Sequence, residues 1–306
     1  MQPLSYAPCR LCPRACGVDR TRGERGFCRQ SAALRVARAA PHFWEEPPIS
    51  GAFGSGTVFF SGCTLGCVFC QNETISHGKT GEEISVENLA DIFLNLQNQK
   101  HAHNINLVTP THYVPQIAEA LQIAKKEGLA IPIVYNSSAY EKKETLQMME
   151  GLIDIYLPDF KYMDSQISKK YSHASDYSFW AKQALAEMVR QIPEVQFDED
   201  GMMKKGVIVR HLLLPGCRKD SKAVLKYLLE TYKDQIYISL MNQYTPMTGI
   251  EKYPELNRKI TAREYEWMID YALELGIENG FIQEGETAKE SFIPAFDGEG
   301  IFPVKK

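Results

Sequence analysis

Cys63, Cys67 and Cys70 fall within one short stretch, Gly62-Cys-Thr-Leu-Gly66-Cys-Val-Phe-Cys70. They follow Thr57-Val-Phe-Phe-Ser61, a β-branched and aromatic run that predicts a strand. The spacing puts three thiols on one tight loop, and Gly62 and Gly66 are free to take unusual backbone angles. A cubane iron–sulfur cluster normally takes one thiolate per iron, so three local thiolates leave one iron open for chemistry. A zinc ion completed by a distant residue is the alternative. It leaves unexplained why the loop sits at the end of a strand, where active-site loops of parallel sheets gather.

A second group, Cys9, Cys12, Cys16 and Cys28, offers four thiolates and therefore a closed site, either structural zinc or a second iron–sulfur cluster. Three of the four crowd together and Pro13 directly follows one of them, which leans toward iron–sulfur without excluding zinc. The surrounding residues 1–40 are short, poor in apolar periodicity and dependent on metal for stability. Loss of one of these ligands is accordingly expected to unfold the module and leave the strand-end loop untouched. Cys217 stands alone and reads as an inert loop thiol.

The elements that must position these groups alternate from Thr57 onward. Strands are predicted at 57–61, 105–108, 131–135, 153–157, 207–214 and 236–240, and helices near 85–99, 113–127, 141–150, 176–191, 219–233 and 261–275. Ser85 is placed as an N-cap, Gly128 and Gly276 as C-caps, and Asp200-Gly201 as the turn of a hairpin inserted before the fifth strand. Repeated β-then-α units predict a parallel sheet with helices on its outer face, and six of them, short of eight, predict an incomplete barrel. The expected fold is thus α/β, a partial (β/α)6 barrel at 56–245. A cysteine-rich module at 1–40 and a connector at 41–55 precede it, and a C-terminal helical or lid region at 246–306 follows.

The strand-end cysteine spacing, with Phe69 before the last cysteine, resembles the signature of the radical S-adenosylmethionine superfamily. From about residue 56 to 245 the chain looks like its pyruvate formate-lyase activating enzyme branch, especially relatives with an N-terminal cysteine module. Tyr135-Asn-Ser-Ser-Ala-Tyr140 resembles the activases' Asp-Thr-Asn-Gly-Phe segment, and Leu157-Pro-Asp159-Phe-Lys161 resembles their Leu-Asp-Leu-Lys motif. Val209-Arg210-His211-Leu-Leu-Leu-Pro215-Gly216 resembles their Arg-bearing strand that ends in Pro-Gly.

The resemblance implies that the open iron binds S-adenosylmethionine, which is cleaved reductively to a 5′-deoxyadenosyl radical that abstracts hydrogen from a substrate. It implies Phe69 against the adenine, and Asn136, Ser137 and Asp159 near the methionine carboxylate, with room for a monovalent cation. Lys161 and Arg210 would contact carboxylates of cofactor or substrate. The activases' Gly-Gly-Glu is replaced here by Val108-Thr109-Pro110-Thr111-His112, which leaves Thr109 and Thr111 to accept from the methionine amino group. His112 reads as a structural hydrogen-bonding residue.

The substrate reading divides between a backbone glycine of a partner enzyme and a small molecule, peptide or RNA. A non-catalytic iron–sulfur or zinc binding module is the reading from another class, and Asp159, Lys161 and Arg210 at strand ends speak against it. A flavodoxin- or ferredoxin-type reductant is the implied partner. Residues 1–40 carry eight arginines against Asp19 and Glu24, a balance of +6 within an overall −4. That asymmetry reads as a solvated face around a metal knot, and nucleic acid is not the expected partner. No apolar run reaches the roughly 18 residues of a membrane span and no leader-like segment opens the sequence, so the expected location is the cytoplasm. Gln283–Glu286 and Pro294–Glu299 are candidates for a substrate-side lid.

Overall fold

A computed structural model of the chain describes residues 5–283 and 293–302. Its strands are β1 (Arg35–His42), β2 (Ser55–Phe60), the two-residue β3 (Glu82–Glu83), β4 (Ile105–Val108) and β5 (Ile133–Ser137). They continue as β6 (Ile155–Pro158), the two-residue β7 (Gln196–Phe197), β8 (Met203–Leu212), β9 (Tyr237–Met241) and β10 (Gly280–Ile282). The helices are α1 (Pro47–Ser50), α2 (Glu73–Ser76), α3 (Val86–Asn98), α4 (Val114–Lys126), α5 (Lys143–Gln147), α6 (Ser165–Ser172), α7 (Tyr177–Gln191), α8 (Arg218–Tyr232) and α9 (Ala262–Glu274).

All six expected strands are present and mutually parallel, in the order β9-β8-β6-β5-β4-β2. Three strands extend this sheet beyond expectation. β10 adds in parallel to β9, and β1 runs antiparallel to β2 with β3 beyond it. Among the described residues the two edges do not pair, so the sheet is the partial barrel that six βα units imply. The Asp200-Gly201 hairpin is also present: β7 pairs antiparallel with β8, and Gly201 takes φ 75°, where a side chain would be strained.

Local chemistry sets the helix ends. The Ser85 hydroxyl accepts from the Asn88 N–H at the start of α3, and Thr261 and Glu264 form a reciprocal capping box on α9. The helical stretch expected at 141–150 is only five residues long, because the chain turns after Met148 toward Gly151 at φ 78°. Apolar stripes such as Leu89, Ile92, Phe93 and Leu96 of α3 pack on the outer face of the sheet. Each such side chain contributes about 1.5–3 kcal/mol on full burial.

The inner face is decided by the two-residue period of the strands. Val134, Ile155, Leu157 and Ile208 point inward and close one end of the barrel around Ile49 of α1. Residues 41–55, expected as a connector, therefore carry the end of β1 and a helix that plugs the barrel. Two residues further along three of these strands, the same inward phase presents Asn136, Asp159 and Arg210. That end of the barrel is polar.

Candidate active site

The strand-end loop and the inward polar residues share one cavity of about 210 Å³. Phe69, Cys67, Cys70, Asn136, Asp159, Lys161 and Arg210 all line it. Phe69 is 5% exposed and meets Tyr244 edge to face, with ring centroids 6.1 Å apart. Cys63 belongs to the same loop and also borders an outer groove beside Cys67, Phe27 and Arg29. Gly62 and Gly66 take φ values of 90° and 66°, the left-handed angles the loop needs.

The three thiols are unpaired, and Ser172 of α6 donates to Cys67 Sγ at 3.0 Å. Burial pushes the Cys67 thiol up while the Lys161 ammonium pulls it down, and burial with the two neighbouring thiols pushes Cys70 up to about 12. Soft donors this close and this dry are deprotonated by a bound metal centre rather than on their own. Among the described residues, no three His, Cys, Asp or Glu side chains converge as one ion requires. A cubane does not ask for that, because each thiolate binds its own iron. The donor set fits the cluster.

Charge in the cavity alternates. Lys161 Nζ donates to Asp159 Oδ2 at 2.8 Å, and Arg210 Nε donates to Asp159 Oδ1 at 2.9 Å. Burial alone would raise the Asp159 carboxyl, but the two cations outweigh it and hold the group below its ordinary value. Arg210 also donates to Glu45 Oε2 at 2.9 Å and to Asn136 Oδ1. Its guanidinium is thus tied to three protein acceptors and positions them. Among the described residues Lys161 makes a single ammonium hydrogen bond, which leaves two donors for a carboxylate.

Glu45 was not foreseen. It comes from the segment read as a connector, where Glu45 and Glu46 are the only acidic or basic residues besides His42. Asn106 Nδ2 donates to it at 3.0 Å, and burial pushes its carboxyl up against the pull of Arg210. The signal was a pair of acids beside Trp44 in an otherwise charge-free stretch.

Two expected contacts lie elsewhere. Ser137 follows inward-facing Asn136 on β5, so the strand period turns it to the other face, where its hydroxyl accepts from the Ala139 N–H at 3.2 Å. The Thr111 hydroxyl is 1% exposed as a residue and donates to Glu141 Oε1 at 2.6 Å, behind the strand ends. Neither residue lines the cavity, and neither does Thr109. Thr109 does hold the strained φ of 59°, rare for a β-branched residue. His112 behaves as a structural residue, its Nε2 within 2.7 Å of the Ser61 carbonyl.

The buried acid behind the strands makes stability depend on pH. Burial pushes Glu141 from 4.5 up to about 7, although hydrogen bonds from Thr111, Ser137 and Tyr135 pull it down. A carboxyl raised on folding contributes stability that is full below its unfolded value and is lost as pH rises through the folded one. The loss amounts to about 3 kcal/mol between pH 4 and pH 8. Glu141→Gln is expected to flatten this fall in guanidinium unfolding curves, and an unchanged fall would show that the carboxyl is ordinary.

The four N-terminal thiols lie close enough to influence one another: burial raises Cys12 to about 12, and Cys28, Cys16 and Cys9 each add to it. The Cys9 N–H donates to Val18 O, Gly17 to Cys9 O, and the Phe27 N–H to Cys16 Sγ at 3.2 Å. Of the lid candidates, residues 284–286 lie outside the described residues. Pro294 lines the cavity, and the stretch that follows it is bound to β1. Arg38 pairs there with Asp297 and Glu299, and Phe296 meets Phe59. No helix among the described residues is long and apolar enough to cross a membrane.

Comparison with known proteins agrees with this arrangement. An uncharacterised protein of Methanocaldococcus jannaschii is 28% identical over 276 residues, which is 87% of this chain and 75% of that one. Streptococcus suis SuiB, solved bound to S-adenosylmethionine, superposes with a TM-score of 0.50 at 18% identity, over 72% of this chain and 48% of its own. A radical SAM methyltransferase from Sphaerobacter thermophilus gives 0.50 at 11% identity, over 74% and 65%. This chain spans about half of SuiB's length, and at such identities the likeness speaks for fold alone. Residues 57–216 match the model of the radical SAM superfamily. That match covers just over half of the 306 residues, taking in the whole three-cysteine loop and Arg210. The chain therefore belongs to the radical SAM superfamily, as an enzyme whose cofactors are a 4Fe-4S cluster and S-adenosylmethionine.

Proposed function

We propose that Cys63, Cys67 and Cys70 hold the catalytic 4Fe-4S cluster, and that the enzyme abstracts hydrogen from its substrate at the polar mouth of the barrel. One observation carries this: the loop's Cys67, Phe69 and Cys70 line the same cavity as Asn136, Asp159 and Lys161. When bound, the cluster and S-adenosylmethionine together supply a 5′-deoxyadenosyl radical. The chain's own residues do the positioning. Phe69 offers an apolar face for adenine, and Lys161 offers donors to a carboxylate. Asp159 and Asn136 fix the groups around them, and any monovalent cation would sit there. Arg210 braces this row, and Glu45, as a buried carboxylate at its end, is the group best suited to an amino group.

The finer proposal is that the substrate is a backbone glycine of a partner enzyme. Support comes from the Leu157–Lys161 and Val209–Gly216 segments, whose acid and cations meet in space as the activase resemblance requires. The expected result is a persistent protein-borne radical, seen by EPR, when the reduced enzyme and S-adenosylmethionine meet a glycyl radical enzyme that is its partner. Consumption of a small molecule, peptide or RNA with no such signal would replace this reading by the modifier alternative. We also propose a second metal centre at Cys9, Cys12, Cys16 and Cys28, in a module of about 1–40, and favour iron–sulfur over zinc there, because among the described residues no three of these side chains converge as one ion requires. A low-potential flavodoxin or ferredoxin is proposed as reductant, in the cytoplasm.

A further inference from the structure

We infer that the N-terminal knot is a metal site whose occupancy holds the catalytic cysteine loop in shape, with Arg14 as the link. The inference rests on the second-centre reading above. Arg14 lies between Cys12 and Cys16, and its guanidinium leaves the knot altogether. Nε donates to Thr64 O at 2.9 Å and NH2 to Leu65 O at 3.2 Å, the two carbonyls that follow Cys63. NH2 also donates to Ser172 O at 3.0 Å, and NH1 to His173 O. Ser172 is the residue whose hydroxyl donates to Cys67 Sγ. One planar fork therefore fixes both the span between two catalytic cysteines and the hydrogen-bond donor to the second of them.

The knot holds Arg14 in turn. The Phe27 ring lies 3.8 Å from its guanidinium, and the Phe27 N–H is the group that donates to Cys16 Sγ. A side-chain atom added at Gly62 would stand 2.5 Å from the Cys28 carbonyl, so the residue before Cys63 rests directly on a knot cysteine. The two sites are thus in contact, which argues against the independence expected from sequence. The physical reason is that the short module has no core of its own and packs on the loop instead.

Charge explains why metal should matter. Among the described residues Arg14 has backbone carbonyls and aromatic rings as partners and no carboxylate. A half-buried guanidinium without a counter-charge is costly. Four thiolates on a cubane carry net negative charge and would supply it. Without metal, the segment is too poor in apolar contacts to stay folded.

Arg14→Ala, Arg14→Lys and Cys12→Ser are to be reconstituted anaerobically beside the wild type. Metal content, iron release to a ferrous chelator and the EPR spectrum of the reduced cluster with S-adenosylmethionine are then read. The change that S-adenosylmethionine causes in that spectrum reports the catalytic cluster alone. Arg14→Ala should keep the knot metal yet release iron at least about tenfold faster and show an altered spectrum, given the strength of charged hydrogen bonds. Arg14→Lys should restore the spectrum in part. Cys12→Ser should lose the knot metal and show the Arg14→Ala spectrum. A wild-type spectrum and release rate in Arg14→Ala would overturn the inference. Full metal content in Cys12→Ser would overturn the second-centre reading instead, and the two failures fall on different samples.

Discussion

Arg210→Ala is expected to destabilise the fold by about 3–5 kcal/mol, the usual cost of stranding buried charges by removing their partner. Arg210 reaches three acceptors from three different segments: Asp159 after β6, Glu45 before α1 and Asn136 in β5. Its side chain is 14% exposed, and those of Glu45 and Asp159 are 8% and 19% exposed. Without the guanidinium, Lys161 alone must balance both carboxylates. Glu45 is already pushed up by burial, so it loses its main downward pull and takes up a proton more readily. The destabilisation should therefore be larger at pH 8 than at pH 5. Arg210→Lys should recover only part, because an ammonium cannot span three acceptors in one plane. Urea midpoints of the three proteins at both pH values measure this. A variant within about 1 kcal/mol of wild type would mean that the network is solvated and slack.

Cys67→Ala is expected to lose the catalytic cluster and with it all turnover. Cys67 is the central cysteine of the loop, receives the Ser172 hydroxyl, and borders both the inner cavity and the outer groove. No neighbouring thiol can take its place, since the knot cysteines are tied into their own backbone turns and Cys217 is buried at the start of α8. Iron and sulfide analysis after reconstitution should fall by one cluster relative to wild type. An unchanged iron content, with the charge-transfer absorption intact, would remove Cys67 from the ligand set.

The six parallel strands were legible because each is a compact apolar run bounded by turn residues, and such runs have few alternatives to burial. Asp159 and Arg210 could be brought together from sequence for a related reason. Each lies two residues beyond an inward apolar residue, Leu157 and Ile208, so the strand period carries them to the same face. The same period separates Asn136 from Ser137, and reading both as contacts ignored it. β1 escaped because its segment, Arg-Val-Ala-Arg-Ala-Ala-Pro-His, mixes arginines into the pattern and owes its strand to pairing with β2. Glu45 escaped for a deeper reason. A carboxylate in a loop looks solvated until the fold turns that loop into the barrel, and this long-range event leaves no local trace. The Arg14 link is of the same kind, joining residues about 50 and 158 positions apart in sequence.

If the three-cysteine loop holds the catalytic cluster, this chain cleaves S-adenosylmethionine reductively. The most direct measurement is 5′-deoxyadenosine and methionine formed by anaerobically reconstituted protein with dithionite and S-adenosylmethionine, wild type beside Cys67→Ala. Both products should appear in equal amounts from the wild type and stay at background in the variant. A wild type with its full complement of iron that forms neither product, or a variant that forms as much as the wild type, would show that the loop does not carry this chemistry.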